Sequence, residues 1–224
     1  MIFPPDRIKF IVMGVVTIIL LLAVFAWFLI ATFPGYLFRQ EVFSLFSGKG
    51  RERGEARFAE RLRALGLHPD ALALRIEVVK GERKLRLKHA DITIAEFPVG
   101  IGPNSNGHKK IEGDGHTPEG EYYVCTKNES SRFHLFLGLS YPSPADGARA
   151  LSEGVITATE SEAILDAWMK RARPPWGTPL GGVIGIHGFG GNRDWTQGCI
   201  ALNNGDIEEL FWNVQTGTPV IISP

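Results

Sequence analysis

Cys199 and His187 are the two residues of this 224-residue chain whose types and spacing can do covalent chemistry. A thiolate is the nucleophile of choice for acyl transfer. Its ordinary pKa of ~8.5 calls for a neighbouring base that takes the proton and later returns it to the leaving amine. Cys199 follows Gly198, whose lack of a side chain lets backbone approach a substrate, and it opens an apolar strand predicted over residues 199–202. His187, twelve residues upstream, ends an apolar strand predicted over 183–186 and is followed by Gly188. Two strands joined by a Gly/Asn/Asp loop bring their facing ends together, which sets imidazole beside thiol. The amides of Gly198 and Cys199 are then candidate oxyanion donors. Spacing alone leaves the bland reading open, since a histidine at a strand end is often a hydrogen-bonded structural residue. Cys125, among the strand residues of Glu121-Tyr122-Tyr123-Val124-Cys125, has no base nearby in sequence and reads as a packed thiol.

The elements that must position this pair are mostly short strands. Leu74, Ile76 and Val78 alternate with charged residues, Gly81-Glu82-Arg83 makes a turn, and Leu85 and Leu87 alternate again: a hairpin. Further strands are predicted over 92–99, 122–124 and 220–222. Gly113, Gly115, Pro118 and Gly120 crowd the connection before the second of these. A helix is predicted over 160–172, closed by Pro174-Pro175, and a shorter one over 206–214. Upstream, Ser47-Gly48-Lys49-Gly50 reads as a hinge. Phe58, Leu62 and Leu65 then recur at helical spacing, making an amphipathic helix that ends near Gly66 and Pro69, with its Arg-rich face a solvated surface.

Composition narrows the classes. Twenty-four Lys and Arg balance 24 Asp and Glu, and the signs are interleaved, so nucleic acid is excluded as a partner. Two cysteines without CxxC spacing, and six scattered histidines without HxH or HExxH, offer no metal site and no disulfide framework. The 29 residues 10–38 hold no charged side chain. That is long enough to cross a bilayer, which needs about 20 apolar residues, and too long for a signal-peptide core of about 7–15. Trp27, Phe33 and Tyr36 stand toward one end, as an interfacial belt would. Arg7 and Lys9 on one flank face Arg39, Lys49, Arg51 and Arg53 on the other, so charge does not decide the orientation.

Together these residues carry a resemblance. His187-Gly188, a loop, then Thr196-Gln197-Gly198-Cys199-Ile200-Ala201-Leu202 resembles the signature of the L,D-transpeptidases, whose catalytic module is the YkuD domain. Four further segments resemble the YafK-like branch of that family: Gly113-Asp114-Gly115-His116-Thr117-Pro118-Glu119-Gly120-Glu121-Tyr122-Tyr123, Ser131-Arg132-Phe133-His134, Tyr141-Pro142 and Asp194-Trp195. The match runs through most of residues 74–224.

The resemblance implies a mostly-β catalytic domain with a few short helices over 71–224. It would be preceded by a cytoplasmic tail (1–9), a transmembrane helix (10–38) and a linker with the amphipathic helix (39–70). It implies a cell-wall enzyme, with a part in cell shape, that attacks peptidoglycan stem peptides at an L-to-D amide without a cofactor. A single-pass anchor in the cytoplasmic membrane would hold the catalytic domain on the extracytoplasmic, periplasmic side. Cys199 would be nucleophile and His187 general base and acid, with the Gly188 carbonyl orienting the imidazole. Arg132, His134, Tyr141, Trp195 and Gln197 would line the substrate groove. Asp114 reads equally as a turn-former and as a contact for a cationic diaminopimelate amine. Gln197 and Ala201 stand where the family commonly has His and Arg or Asn, both at expected substrate contacts. Water therefore competes with an amine as acceptor, which would make the chain an L,D-amidase, one that could release peptidoglycan-linked protein. An inert wall-binding module is the third reading.

Overall fold

The structure, a computed structural model, describes residues 36–224. The apolar run at 10–38 and the tail before it lie outside the described residues, except that the last three positions of the run begin a helix. Among the described residues no helix is long and apolar enough to cross a membrane.

Helix α1 spans Tyr36–Leu65 and runs through the stretch that the sequence suggests as a hinge. Two of its glycines serve close packing, while Gly48 meets nothing within 4 Å. A Cβ on Gly50 would stand 2.8 Å from the Glu208 carboxylate, and one on Gly54 would stand 2.5 Å from the Glu208 backbone carbonyl. Phe58 and Leu62 are buried in the main core. The helix ends where the sequence predicts, at Gly66 with φ +65°, and Leu67 N–H reaches back to the Leu62 carbonyl at 2.9 Å.

The predicted hairpin is β1 (Leu74–Val79) and β2 (Lys84–His89), antiparallel, with Leu85 and Leu87 buried as the alternation requires. Strand β3 (Ile92–Pro98) follows, then β4 (Gly120–Ser131) and β5 (His134–Leu139). Helices α2 (Pro144–Ser152) and α3 (Ala158–Met169) start on capping boxes, Ser143 with Asp146 and Thr157 with Glu160. Short strands β6 (Gly185–His187) and β7 (Ile200–Ala201), helix α4 (Asn204–Asn213) and β8 (Pro219–Ser223) complete the chain.

One eight-stranded sheet results, in the order β3-β2-β1-β8-β4-β5-β6-β7. Pairs β1/β8 and β6/β7 are parallel and the others antiparallel. Backbone just past β3 also bonds β7, with Gly100 N–H to the Ala201 carbonyl at 2.9 Å and the reverse bond at 2.7 Å, so the two ends of the sheet meet. The class is thus a mixed, sheet-rich domain with four α-helices among the described residues, one of them 30 residues long, rather than mostly β with a few short ones.

Candidate active site

Register places the reactive pair. Ile186 lies opposite Ile200 and His187 opposite Ala201. Extended back by one position, the same register sets Cys199 opposite Gly185. Side chains alternate along a strand, so Cys199, opposite Gly185, shares a face of the β6/β7 pair with His187, two positions further along. Both line one groove of about 1000 Å³, with apolar walls that include Phe133, Phe136, Trp176 and Trp195.

His187 is 2% exposed and held from three sides. Phe133 stacks on its ring, centroids 4.7 Å apart and 26° from parallel, and Trp195 meets it edge-on at 5.6 Å. Its Nδ1 lies 2.7 Å from the Gly188 carbonyl. A carbonyl can only accept, so Nδ1 carries the proton and Nε2 keeps its lone pair. Burial lowers the pKa of His187 and outweighs that hydrogen bond, which acts to raise it. The ring is therefore neutral near pH 7, as a base must be.

The Cys199 sulfur faces the opposite constraint. Burial pushes its pKa up to about 11, against the pull of the Gly185 backbone and the Lys109 charge. The thiol lies 3.4 Å from the Val183 carbonyl, to which it donates. The thiol is therefore mostly protonated at pH 7.

The turn before Cys199 is built around Thr196. Its hydroxyl donates to the Cys199 carbonyl at 2.7 Å and accepts from Gly198 N–H at 3.2 Å. The Gly198 amide is thereby engaged within the turn, which corrects its expected role as an oxyanion donor; the Cys199 amide has no protein partner among the described residues. Gly198 has φ +122°, and a Cβ there would stand 2.6 Å from the His116 carbonyl, so only glycine fits. Asp194 ties the same loop to the β1–β2 turn and to the segment after β3, through a two-pronged pair with Arg83 and by accepting Ile101 N–H at 3.1 Å.

Of the expected groove residues, Arg132, Trp195 and Gln197 line the groove and three others do not. Tyr141 is fully buried and donates to the Leu180 carbonyl at 3.1 Å. His134 turns toward α4, with Nε2 3.0 Å from Glu208. Asp114 is built into its turn. Its carboxylate accepts Lys110, Ile111 and His116 amides at 2.7, 3.1 and 3.0 Å and the Lys109 ammonium at 3.0 Å. Burial raises its pKa, but these donors outweigh that and bring it down to about 2. Ala201, expected near substrate, is completely buried. Cys125 sits at a bulge of β4, its pKa raised by burial to about 11.

Sequence reasoning missed Lys109 and Arg173. Lys109 is 2% exposed, yet it lines the groove, and its stem lies 3.5 Å from where a Gly198 Cβ would be. Nothing in the Lys109-Lys110 pair distinguishes one buried lysine from two solvated ones. Arg173 stacks over Trp176 at 5.1 Å and faces the groove, as Arg132 does over Phe133 at 4.9 Å. Among the described residues no group of three or more His, Cys, Asp or Glu side chains is arranged to hold a metal ion.

Several solved structures are similar to the chain. A variant of the helical cell shape determining protein Pgp2 from Campylobacter jejuni is 25% identical, with a TM-score of 0.48 over 68% of this chain and 47% of that one. Bd1075 from Bdellovibrio bacteriovorus is 21% identical, with a TM-score of 0.45 over 68% and 49%. An L,D-transpeptidase from Xylanimonas cellulosilytica is 14% identical, with a TM-score of 0.40 over 67% and 60%. The chain thus spans about half the length of the first two. No curated protein matches it. The model of the L,D-transpeptidase catalytic domain, YkuD, matches residues 73–222, all of the sheet but its last residue, and the chain belongs to that family.

Proposed function

We propose that the chain is a cysteine-dependent L,D-transpeptidase that acts on peptidoglycan stem peptides through a thioester on Cys199. The observation that carries this reading is the pairing of a buried, neutral, singly oriented imidazole with a thiol on the adjacent strand, at one groove. His187 Nε2 takes the thiol proton as sulfur attacks the carbonyl carbon on the L side of the scissile amide. The Cys199 amide is the donor placed to meet the developing oxyanion. Collapse breaks the C–N bond, the imidazolium returns its proton to the departing amine of the D residue, and a thioester remains. An acceptor amine then attacks, forms the new amide and restores the thiol. Arg132 and Arg173 give the groove a cationic lining against the carboxylate of Glu112, while Lys109 is paired with Asp114, which suits a peptide rich in carboxylates.

Water remains the second reading for the acceptor, because Gln197, which departs from the usual His of the family, lines the groove. The deciding experiment supplies a stem tetrapeptide with and without excess D-amino acid or a second stem peptide. Exchanged or cross-linked products support transfer, whereas tripeptide alone under every condition makes the chain a hydrolase. We also propose that residues 10–38 form a single-span anchor with the catalytic domain outside the cytoplasmic membrane, because 29 residues without a charge suit a bilayer core. Protection of the domain from protease in spheroplasts would overturn that orientation.

A further inference from the structure

The Arg-rich face of α1 is exposed, as its composition suggests, with the Arg53 side chain 63% exposed, yet three of its arginines also reach buried carboxylates of α4. Arg61 Nε donates to Glu209 of α4 at 2.6 Å, and Arg57 lies 3.1 Å from the second oxygen of the same completely buried carboxylate. Arg57 also reaches the Gly205 carbonyl at 3.1 Å and Asp206 at 3.3 Å. Arg53 bonds both oxygens of Glu208 at 3.1 Å. Exposed ion pairs contribute little, but Glu208 is only 6% exposed and Gly54 lets the two helix backbones touch.

Glu208 has a second partner, and that partner leads to the catalytic imidazole. The carboxylate that holds Arg53 also accepts from His134 Nε2 at 3.0 Å. His134 stands at the β4–β5 turn with φ +73°, in the left-handed region that few non-glycine residues adopt and histidine enters more readily than most. Its neighbour Phe133 stacks on His187, and the Phe133 carbonyl accepts Gly188 N–H at 3.0 Å. Gly188 in turn supplies the carbonyl that fixes His187 Nδ1. A second strut comes from the first residue of α4, where Asn204 Oδ1 accepts Phe189 N–H at 2.9 Å.

We infer that Glu208 is a positioning residue that couples docking of α1 to the orientation of His187, so that the linker helix completes the active site rather than merely tethering it. The coupling runs Arg53 to Glu208 to His134, and through the Phe133–His134 turn to the imidazole. This rests on His187 acting as the base in the proposed function. Glu208 does not line the groove, so it acts on the reaction step and not on binding.

The test compares the full chain with Glu208→Ala, Glu208→Gln, Arg53→Ala and Cys199→Ser. The readouts are steady-state kcat and KM on a stem tetrapeptide and the rate of Cys199 acylation by a carbapenem, followed by intact mass. Loss of a fixed base orientation costs on the order of tenfold or more in rate. Glu208→Ala is expected to lower kcat and acylation about tenfold or more with KM within about twofold. Glu208→Gln, which still accepts from both Arg53 and His134, should recover much of the loss. Arg53→Ala should show a smaller fall of the same kind, and it keeps the proposal testable should Glu208→Ala fail to fold. Wild-type kcat in a folded Glu208→Ala chain, or in Arg53→Ala, overturns the coupling, as does a loss confined to KM. Failure of the catalytic reading itself looks different: the unmodified chain then takes up no label, or Cys199→Ser takes up as much.

Discussion

Replacing Asp114 by Asn tests whether the groove floor is held by one ionised carboxylate. Asp114 gathers three backbone amides and the buried Lys109 ammonium, and its pKa falls from an ordinary 3.8 to about 2. At about 1.4 kcal/mol per tenfold, that difference stabilises the folded chain by about 2 kcal/mol at neutral pH. The Asn side chain matches the shape but presents an amide donor in place of one acceptor, and it leaves Lys109 without its counter-charge. A domain of this size loses about 2–4 °C per kcal/mol, so the melting temperature should fall by about 4–8 °C at pH 7. The pH dependence has a definite sign. The folded pKa lies below the unfolded one, so the contribution is fully present above pH ~4 and fades as pH falls toward the folded value of about 2. Thermal denaturation of the two proteins by circular dichroism, from pH 7 down to pH 3, should show the gap narrowing only below pH ~4. Equal melting temperatures at pH 7, or a gap constant down to pH 3, would refute the reasoning.

Other substitutions probe the nucleophile turn. Gly198→Ala forces a Cβ against the His116 carbonyl at φ +122° and should lower Cys199 acylation about 100-fold by displacing the sulfur, read by stopped-flow or intact mass. Cys199→Ser and His187→Ala should each abolish turnover while the circular dichroism spectrum is unchanged. Their double variant should be no slower than either, because nucleophile and base act as a unit. Cys125→Ser, at a strand bulge and not among the groove-lining residues, should keep kcat within about twofold; a loss equal to that of Cys199→Ser would move the chemistry to the other thiol.

How much was legible in the sequence follows from how each element is buried. The β1–β2 hairpin showed plainly because one face is wet, and alternation survives only there. Strand β5, whose last five residues are all buried, shows no alternation, and a continuous apolar run gives no period to read. Helix α2 was missed although Ser143 and Asp146 stand at capping-box spacing, because Pro144 and Gly147 mask a nine-residue helix. The thiol and imidazole were legible because glycines flank both and type alone restricts what they can do. Lys109 and the burial of Glu208 were not, since a buried charge differs from a solvated one only by partners distant in sequence: Glu208 is 155 positions from Arg53. Tyr141 and His134 were misplaced for the complementary reason, as motif membership does not say which face a side chain takes.

The account turns on a covalent bond to one sulfur, and the most direct measurement is the mass of the intact chain after brief incubation with a stem tetrapeptide donor and acid quench, followed by peptide mapping. The account predicts an added tripeptide acyl group on the peptide that contains Cys199, removed by hydroxylamine, absent from Cys199→Ser and depleted when an acceptor amine is present. Turnover of the donor with no adduct at Cys199, or with the acyl group on another residue, would contradict it.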